Sequence, residues 1–102
     1  ICQISSIAGI KGFPGWSLYC ASKFAVEGFS ASLRQELRTR GIRLTLIRPG
    51  SVDTHFYSYL PDSAKKDFIA PETIAKMVTS SIMVDSKAVV EDIFINNAVG
   101  DL

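Results

Sequence analysis

Three short apolar segments alternate with two long helical patterns, and this alternation constrains the fold of the chain more than any other feature. Residues 1–5, 43–47 and 89–96 are short and mostly apolar, as strands buried on both faces of a sheet tend to be. Their order, strand, helix, strand, helix, strand, predicts an α/β fold with a parallel sheet. The usual right-handed crossovers would then place both helices on one face of that sheet.

The sequence also marks the limits of the helices. Residues 17–40 contain no proline and are followed by Gly41, which predicts the end of a helix. Pro71 predicts the start of a second helix over 71–84, which carries an apolar stripe at helical spacing. A weaker helical pattern covers 60–68, so we expect two to three helices.

The connections 6–16 and 49–70 are long for a compact domain. Each follows the carboxyl end of a predicted strand, which is where open parallel sheets bind ligands. Loops of this length in compact domains are usually either functional or disordered. The sequence therefore predicts a ligand site built by these two loops, and we expect residues 49–70 to be mobile, to pack little on themselves and to close over a ligand.

Composition and charge narrow the classes of function. The 102 residues are 47% hydrophobic and 21% charged, which is typical of a globular domain, and no apolar run is long enough to span a membrane. A net charge of +1 offers no footprint for nucleic acid or an anionic membrane, so we expect neither partner. Cys2 and Cys20 cannot form a disulfide framework, and we interpret them as free thiols of a cytoplasmic protein.

Metal chemistry finds no support in the sequence. No group of His, Cys, Asp and Glu residues has the spacing of a metal site, and His55 stands alone in a predicted loop. We therefore predict no metal ion.

Tyr19 and Lys23 lie four residues apart in the longer helical pattern, so they are neighbours one turn apart on one face. On a helical wheel this face also carries Val26, Leu33 and Leu37. A lysine on a buried stripe is rare unless a partner offsets its desolvation. The pair is therefore either a functional phenol and ammonium, or a lysine that extends from the helix end into solvent.

The opposite face of the same helical pattern carries no charge. It consists of small and apolar residues: Ala21, Phe24, Ala25, Gly28, Ala31 and Ser32. A helix face exposed to water should be polar, and small residues let another helix approach closely. This face predicts a packed partner, and we expect a homodimer or a homotetramer.

Three motifs occur in order along the chain and carry a resemblance to a known family. They are Ser5-Ser6 after the first strand, Tyr19-x-x-x-Lys23 in the first helix, and Pro49-Gly50-x-Val52-x-Thr54 after the second strand. Ser6 precedes Tyr19 by 13 residues. With this spacing the chain resembles the short-chain dehydrogenase/reductase family over nearly its whole length.

The resemblance implies a Rossmann-like doubly wound parallel sheet, of which residues 1–102 look like the C-terminal half of a single domain. The Gly-rich turn that holds the cofactor pyrophosphate in this family does not occur in the sequence. We therefore interpret the chain as a piece whose N-terminal cofactor-binding half is missing, and we expect the piece alone to be inactive.

The resemblance further implies an NAD(P)-dependent oxidoreductase that interconverts an alcohol and a carbonyl by hydride transfer. Tyr19 would be the general acid/base, and Ser6 would bind the carbonyl oxygen of the substrate. Lys23, about 6 Å from the phenol, would lower the pKa of Tyr19 by about two units. Tyr19 and Lys23 would also contact the cofactor, with Lys23 on its ribose hydroxyls.

The third motif would hold the nicotinamide end of NAD or NADP. Pro49 and Gly50 would turn the backbone against the ligand, and the Val52 backbone and the Thr54 hydroxyl would contact the carboxamide. The substrate would be a small alcohol or carbonyl compound, and apolar residues of the two long loops predict an apolar pocket: Phe13, Trp16, Phe56, Tyr57, Tyr59 and Leu60.

Other interpretations stay open from the sequence. The chain could come from a cofactor-binding member of the same fold with a regulatory role, or it could be a non-catalytic helix-pairing piece. A Gly-rich strand, turn and helix upstream would favour the enzyme. Asn96-Asn97-Ala98 has the composition of a turn after the last strand, and we give it no role in the site.

Overall fold

A computed structural model describes residues 1–102 as a three-stranded parallel sheet with two α-helices. The strands are β1 (Cys2–Ile4), β2 (Thr45–Pro49) and β3 (Asp92–Ile95), in the spatial order β1-β2-β3. The helices are α1 (Ser17–Arg38) and α2 (Pro71–Ile82). The α/β fold with a parallel sheet, predicted from the sequence, is confirmed. Neither helix combines the length and apolar character that a membrane span needs.

Three short 3-10 helices lie in the connections, at Ile7–Gly9, His55–Tyr57 and Asp62–Lys65. The helix predicted over 60–68 is therefore reduced to four residues. The chain cannot continue it, because Ile69 adopts extended backbone and pairs with Val52 in an isolated parallel bridge. This bridge, together with an ion pair between Lys65 and Asp53, packs the connection on itself, so the expectation of little self-packing is wrong.

β2 runs two residues further than the sequence predicted and ends with a proline. A proline in a central strand normally costs a hydrogen bond, because it has no N–H. Along β2, Leu46 donates to β3 and Thr45 donates to Ile1 on the β1 side, so residue 49 faces β1. β1 ends at Ile4, so the missing N–H of Pro49 removes no hydrogen bond from the paired residues of β1 and β2.

The two helices lie on opposite faces of the sheet, which corrects the expectation that both cover one face. Arg48 of β2 contacts Glu27 of α1. Cys2 of β1 lies 4.0 Å from the Ser81 hydroxyl of α2, and its register partner Thr45 is three residues from Arg48. Side chains alternate along a strand, so Thr45 and Arg48 point to opposite faces. The two crossovers therefore have opposite hands, although right-handed crossovers are the rule.

Each face keeps one uncovered strip at a sheet edge. Ile4 of β1 is 47% exposed and belongs to the face that α2 covers, since its register partner is Ile47. Phe94 of β3 is 52% exposed and belongs to the face that α1 covers, since it pairs with Arg48. The apolar residues that the sheet exposes thus lie on its two outer strands, one on each face.

A partly buried ion pair fastens α1 to the sheet. The Glu27 carboxylate accepts two hydrogen bonds from the Arg48 guanidinium, at 2.8 and 2.9 Å, and one from the Ser5 hydroxyl at 2.7 Å. Burial pushes the pKa of Glu27 upward, but hydrogen bonds from Arg48 and Ser5 outweigh it, and the pKa lies below its ordinary value. The helix is thereby attached to β2 and to the residue that follows β1.

About two turns further along α1, Arg34 makes the corresponding contacts to β3. Its guanidinium donates to the Glu91 carbonyl at 2.6 Å and to the Asp92 carboxylate at 3.3 Å. Arg48 also contacts Asp92 at 3.3 Å. The polar network therefore connects α1 with all three strands, and Glu27 and Arg34 lie on the helix face that the sequence analysis assigned to apolar residues.

We expect Glu27→Gln to lower the free energy of unfolding by about 2 kcal/mol, because it removes a charged acceptor and places a donor against Arg48. The pKa of Glu27 is depressed in the folded state, so its contribution is present above the unfolded pKa and is lost as the pH falls through the folded pKa. Denaturant unfolding at neutral and acidic pH should show the difference from wild type shrinking with acid.

Glu36→Gln is the matched control, since Glu36 is exposed on the same helix and takes part in no ion pair. An equal loss of stability in both variants would contradict the assigned role of Glu27.

Candidate functional site

A cavity of about 400 Å³ opens at the carboxyl ends of β1 and β2, between the start of α1 and the connection 49–70. Its walls are mostly apolar. All seven residues that the motifs singled out line it: Ser6, Tyr19, Lys23, Pro49, Gly50, Val52 and Thr54. The structure therefore brings them together, while their roles stay predictions.

Ser6 is held in place by the turn that follows β1. Its backbone is extended, and its hydroxyl accepts a hydrogen bond from the Ala8 N–H at 3.1 Å, which caps the short helix Ile7–Gly9. The hydroxyl proton remains available for donation, because the cap uses only an acceptor lone pair. Ser6 lies close enough to Tyr19 for its hydrogen bonding to affect the phenol.

Lys23 lies one helical turn from Tyr19 and is anchored to the sheet. Its ammonium nitrogen is 5.8 Å from the centre of the Tyr19 ring and donates to the Ile4 carbonyl at 3.2 Å. An ammonium has three donors, so two remain for a ligand in the cavity. Lys23 is therefore not extended freely into solvent, which was the alternative that the sequence left open.

The pKa of Tyr19 lies above its ordinary value, which corrects the expected decrease. Burial is the main cause, and it outweighs the lowering effect of the Ser6 hydroxyl. The electrostatic effects of the neighbouring Tyr57 and Cys20 side chains raise the pKa of Tyr19 further. The pKa of Tyr19 is raised although the Lys23 ammonium lies 5.8 Å from the ring centre, so the phenol of this chain by itself is protonated throughout the physiological range.

Val52 presents an unpaired backbone donor and acceptor at the cavity wall. The neighbouring peptide groups are fixed by Ile69, whose N–H donates to the Ser51 carbonyl at 2.9 Å and whose carbonyl accepts from the Asp53 N–H at 2.9 Å. The N–H and C=O of Val52 itself make no hydrogen bond. Thr54, by contrast, uses its hydroxyl to cap the helix His55–Tyr57, where it accepts from the Phe56 N–H at 3.3 Å.

Aromatic rings form the outer wall of the cavity. The Phe56 ring lies 5.4 Å from Tyr19, 6.0 Å from Trp16 and 4.9 Å from Tyr57, measured between ring centres. Seven of the ten aromatic residues of the chain line the cavity: Phe13, Trp16, Tyr19, Phe56, Tyr57, Tyr59 and Phe68. The only charged side chain among the lining residues is Lys23. The six residues from which the sequence predicted an apolar pocket all lie in this wall.

Two features of the site were missed in the sequence. Asn97, 4% exposed, hydrogen-bonds the backbone of Ser51, so the residues after β3 do more than form a turn. Gly50 was interpreted as a glycine that lets the backbone turn against a ligand. A Cβ there would lie 2.3 Å from the Asn97 Oδ1 atom, so the glycine makes room for Asn97.

Other candidate residues lie apart from the cavity. His55 is exposed and begins the helix His55–Tyr57 without lining the cavity. Cys20 is buried, with its thiol 3.8 Å from the Lys11 carbonyl, and both cysteines are free. No group of three or more His, Cys, Asp and Glu side chains is arranged to hold a metal ion.

Comparison with known proteins gives the family. A sequence model described as short chain dehydrogenase matches residues 1–65. The chain is 33% identical over 99 residues to a sepiapterin reductase of Chlorobaculum tepidum, an alignment that covers 97% of the chain and 41% of that protein. It is 38% identical over 85 residues to a 3-oxoacyl-(acyl-carrier-protein) reductase of Chlamydia trachomatis, covering 74% of the chain and 34% of that protein.

Solved structures of similar proteins have the same fold. A short-chain dehydrogenase/reductase from Vibrio parahaemolyticus superposes with a TM-score of 0.74 at 29% identity, over 94% of this chain and 42% of that one. An alcohol dehydrogenase from Thermococcus sibiricus, solved in complex with 5-hydroxy-NADP, gives a TM-score of 0.85 at 22% identity, over 99% of this chain and 43% of that one.

The chain belongs to the short-chain dehydrogenase/reductase family, and its sheet and helices form part of the Rossmann-like fold of that family. It spans about two-fifths of the length of the relatives and structures with which it aligns over nearly all of its residues.

Proposed function

We propose that the protein containing this chain is an NAD(P)-dependent oxidoreductase that interconverts an alcohol and a carbonyl compound. The observation that carries the proposal is the convergence of Ser6, Tyr19 and Lys23 on one largely apolar cavity, beside the unpaired backbone groups of Val52. Membership of a dehydrogenase family supports the same chemistry. The reaction is hydride transfer to a carbonyl carbon, with proton transfer to its oxygen.

The residues of the cavity fit NAD or NADP at its nicotinamide end. The carboxamide of a nicotinamide has an acceptor oxygen and a donor NH2 group, which match the free N–H and C=O of Val52. The two unused donors of Lys23 suit ribose hydroxyls. The cofactor, when bound, would supply or accept the hydride, and Pro49, Gly50 and Thr54 would form the wall beside it.

Tyr19 would transfer the proton. Carbonyl reduction needs a protonated phenol, and the raised pKa of Tyr19 keeps it protonated at neutral pH. The reverse reaction needs the phenolate, which the positive charge of an oxidised nicotinamide would favour. Because the pKa of Tyr19 is raised, the reduction should retain its acid until the pH rises through that pKa.

Ser6 would bind and orient the substrate oxygen. Its hydroxyl accepts from the Ala8 N–H, so its own proton can point into the cavity toward a carbonyl oxygen. A hydrogen bond there would strengthen as negative charge develops on the oxygen during hydride transfer. The fixed turn at Ile7–Gly9 means that this donor needs little reorganisation.

We infer from the cavity walls that the substrate is apolar. Aromatic rings and aliphatic side chains surround the position beside Tyr19, and the two remaining donors of the one charged side chain, Lys23, are assigned to the ribose of the cofactor. A substrate with a carboxylate or phosphate near its carbonyl would lose hydration there without a compensating partner. A flat or aliphatic carbonyl compound matches the walls better.

We also propose a homodimer or homotetramer, built on the uncharged face of α1. Phe24 on that face is 48% exposed, and Ala25 and Gly28 are exposed as well. Water contact with such a face is unfavourable, and small residues permit close helix packing. The two free thiols fit a cytoplasmic location, where thiols stay reduced.

In the full-length protein, we expect Tyr19→Phe to reduce the rate of carbonyl reduction at least about 100-fold, because the proton donor is lost and the ring is kept. Steady-state kinetics with NADH and NADPH would measure the effect, and circular dichroism would confirm the fold. Ser22→Ala is the control, since its exposed hydroxyl bonds only the Tyr19 carbonyl. Near-normal turnover of Tyr19→Phe would remove Tyr19 from the mechanism.

For the substrate, we expect butyrophenone to be reduced with a kcat/KM at least about tenfold higher than benzoylpropionate, because the second compound adds a carboxylate to a similar skeleton. The comparison uses one enzyme preparation and one cofactor concentration. A preference for the carboxylate compound would contradict the inferred apolar substrate and leave the oxidoreductase proposal standing.

For the assembly, we expect Gly28→Arg to convert an oligomeric full-length protein into smaller species, because it places a charge on the uncharged helix face. Sizing with light scattering would measure this. Ser80→Arg on the exposed side of α2 is the control and should leave the mass unchanged. A monomeric wild type would refute the proposed assembly.

A further inference from the structure

Asn97 connects the two ends of the segment that forms the outer wall of the cavity. It lies two residues after β3 and is 4% exposed. Its Oδ1 atom accepts from the Ser51 N–H at 2.8 Å, and its Nδ2 atom donates to the carbonyls of Ser51, at 3.0 Å, and Asp67, at 2.9 Å. Both amide hydrogens are therefore used. The Asn97 side chain holds the two ends of the segment 51–67 together.

The sequence next to Asn97 is adapted to this side chain. A Cβ on Gly50 would lie 2.3 Å from the Asn97 Oδ1 atom, far below any normal contact. The backbone of Gly50 has no positive φ, so conformation alone does not require glycine here. The close approach of the Asn97 amide is a sufficient reason for glycine at this position.

The contacts of Asn97 also fix the direction of one hydrogen-bond donor in the cavity wall. The Ser51 carbonyl and the Val52 N–H belong to a single planar trans peptide group, so they point in opposite directions. The carbonyl accepts from the Asn97 amide at 3.0 Å and from the Ile69 N–H at 2.9 Å. With the carbonyl held by two donors, the Val52 N–H has one orientation and no protein partner.

We propose that Asn97 is a positioning residue that orients the Val52 N–H toward the carboxamide of the bound nicotinamide. The proposal rests on the proposed function, because it needs a dinucleotide in the cavity. Asn97 does not touch the cavity itself and acts through the Ser51–Val52 peptide. The strand that carries it, β3, thereby sets the geometry of a ligand contact on the neighbouring strand end.

The test compares two ligands on the full-length protein. NADH and NADPH carry the nicotinamide, whereas ADP-ribose and its 2′-phosphate keep the rest of the nucleotide without it. In Asn97→Ala we expect the Kd of the preferred dinucleotide to rise about tenfold, the loss of about one oriented hydrogen bond. The Kd of the matching ADP-ribose should stay unchanged. Fluorescence and calorimetric titrations would measure both.

Asn96→Ala is the matched control, because it removes the adjacent amide, whose contacts are to the Asn97 N–H and to Asp101 and not to residues 51–67. It should leave both dissociation constants unchanged. Gly50→Ala is a second variant that displaces the Asn97 amide from the other side, and it should weaken dinucleotide binding selectively even where Asn97→Ala is too unstable to purify.

Amide hydrogen exchange without ligand gives a readout that needs no activity. In Asn97→Ala the N–H groups of Ser51 and Asp53 should exchange faster than in wild type and in Asn96→Ala. Equal weakening of dinucleotide and ADP-ribose would overturn the proposal in favour of a general structural role, as would unchanged binding of both with faster exchange. A wild type that binds neither ligand would overturn the proposed function as well.

Discussion

The ion pair between Glu27 and Arg48 is the interaction on which the arrangement of the other elements depends. The fully buried residues of α1 are the small side chains Cys20 and Ser30 and include no large apolar side chain. The carboxylate of Glu27 joins the Ser5 hydroxyl and the Arg48 guanidinium, and so holds the ends of two strands at one helix. The partly buried pair of Glu27 and Arg48 contributes to stability because three hydrogen bonds to the Glu27 carboxylate offset its desolvation.

The same ion pair fixes the position of residues that line the cavity. Ser5 is bound by Glu27, and Ser6 is the next residue, so the helix that carries Tyr19 also fixes the backbone that carries the serine. Lys23 adds a third connection, from α1 to the carbonyl of Ile4. Polar contacts from about two turns of α1 thus hold the backbone next to Ser6 at the helix that carries Tyr19.

The sequence was sufficient for the order of elements, the parallel sheet and the residues that meet in the cavity, because these follow from local periodicity and motif spacing. The sequence was insufficient for features that depend on contacts between residues far apart in the chain. The pKa of Tyr19 depends on burial in the cavity. The position of α2 on the face opposite to α1 depends on its packing against the sheet near Cys2. Asn97 looked like a turn residue, since its partners at 51 and 67 are remote in sequence.

Pro49 has a consequence for the shape of the site. Thr45 donates to Ile1, and Ser5 donates to Ile47, so the next bond in this series would run from the N–H of residue 49 to the Ser5 carbonyl. Proline has no backbone N–H, so the hydrogen-bonded pairing of the two strands ends at this position. Any other residue at position 49 has an N–H that can donate to the Ser5 carbonyl, and this bond would extend the strand pairing toward Ser6. Pro49 therefore ends the pairing of the two strands, so their carboxyl ends diverge and the crevice between them stays open.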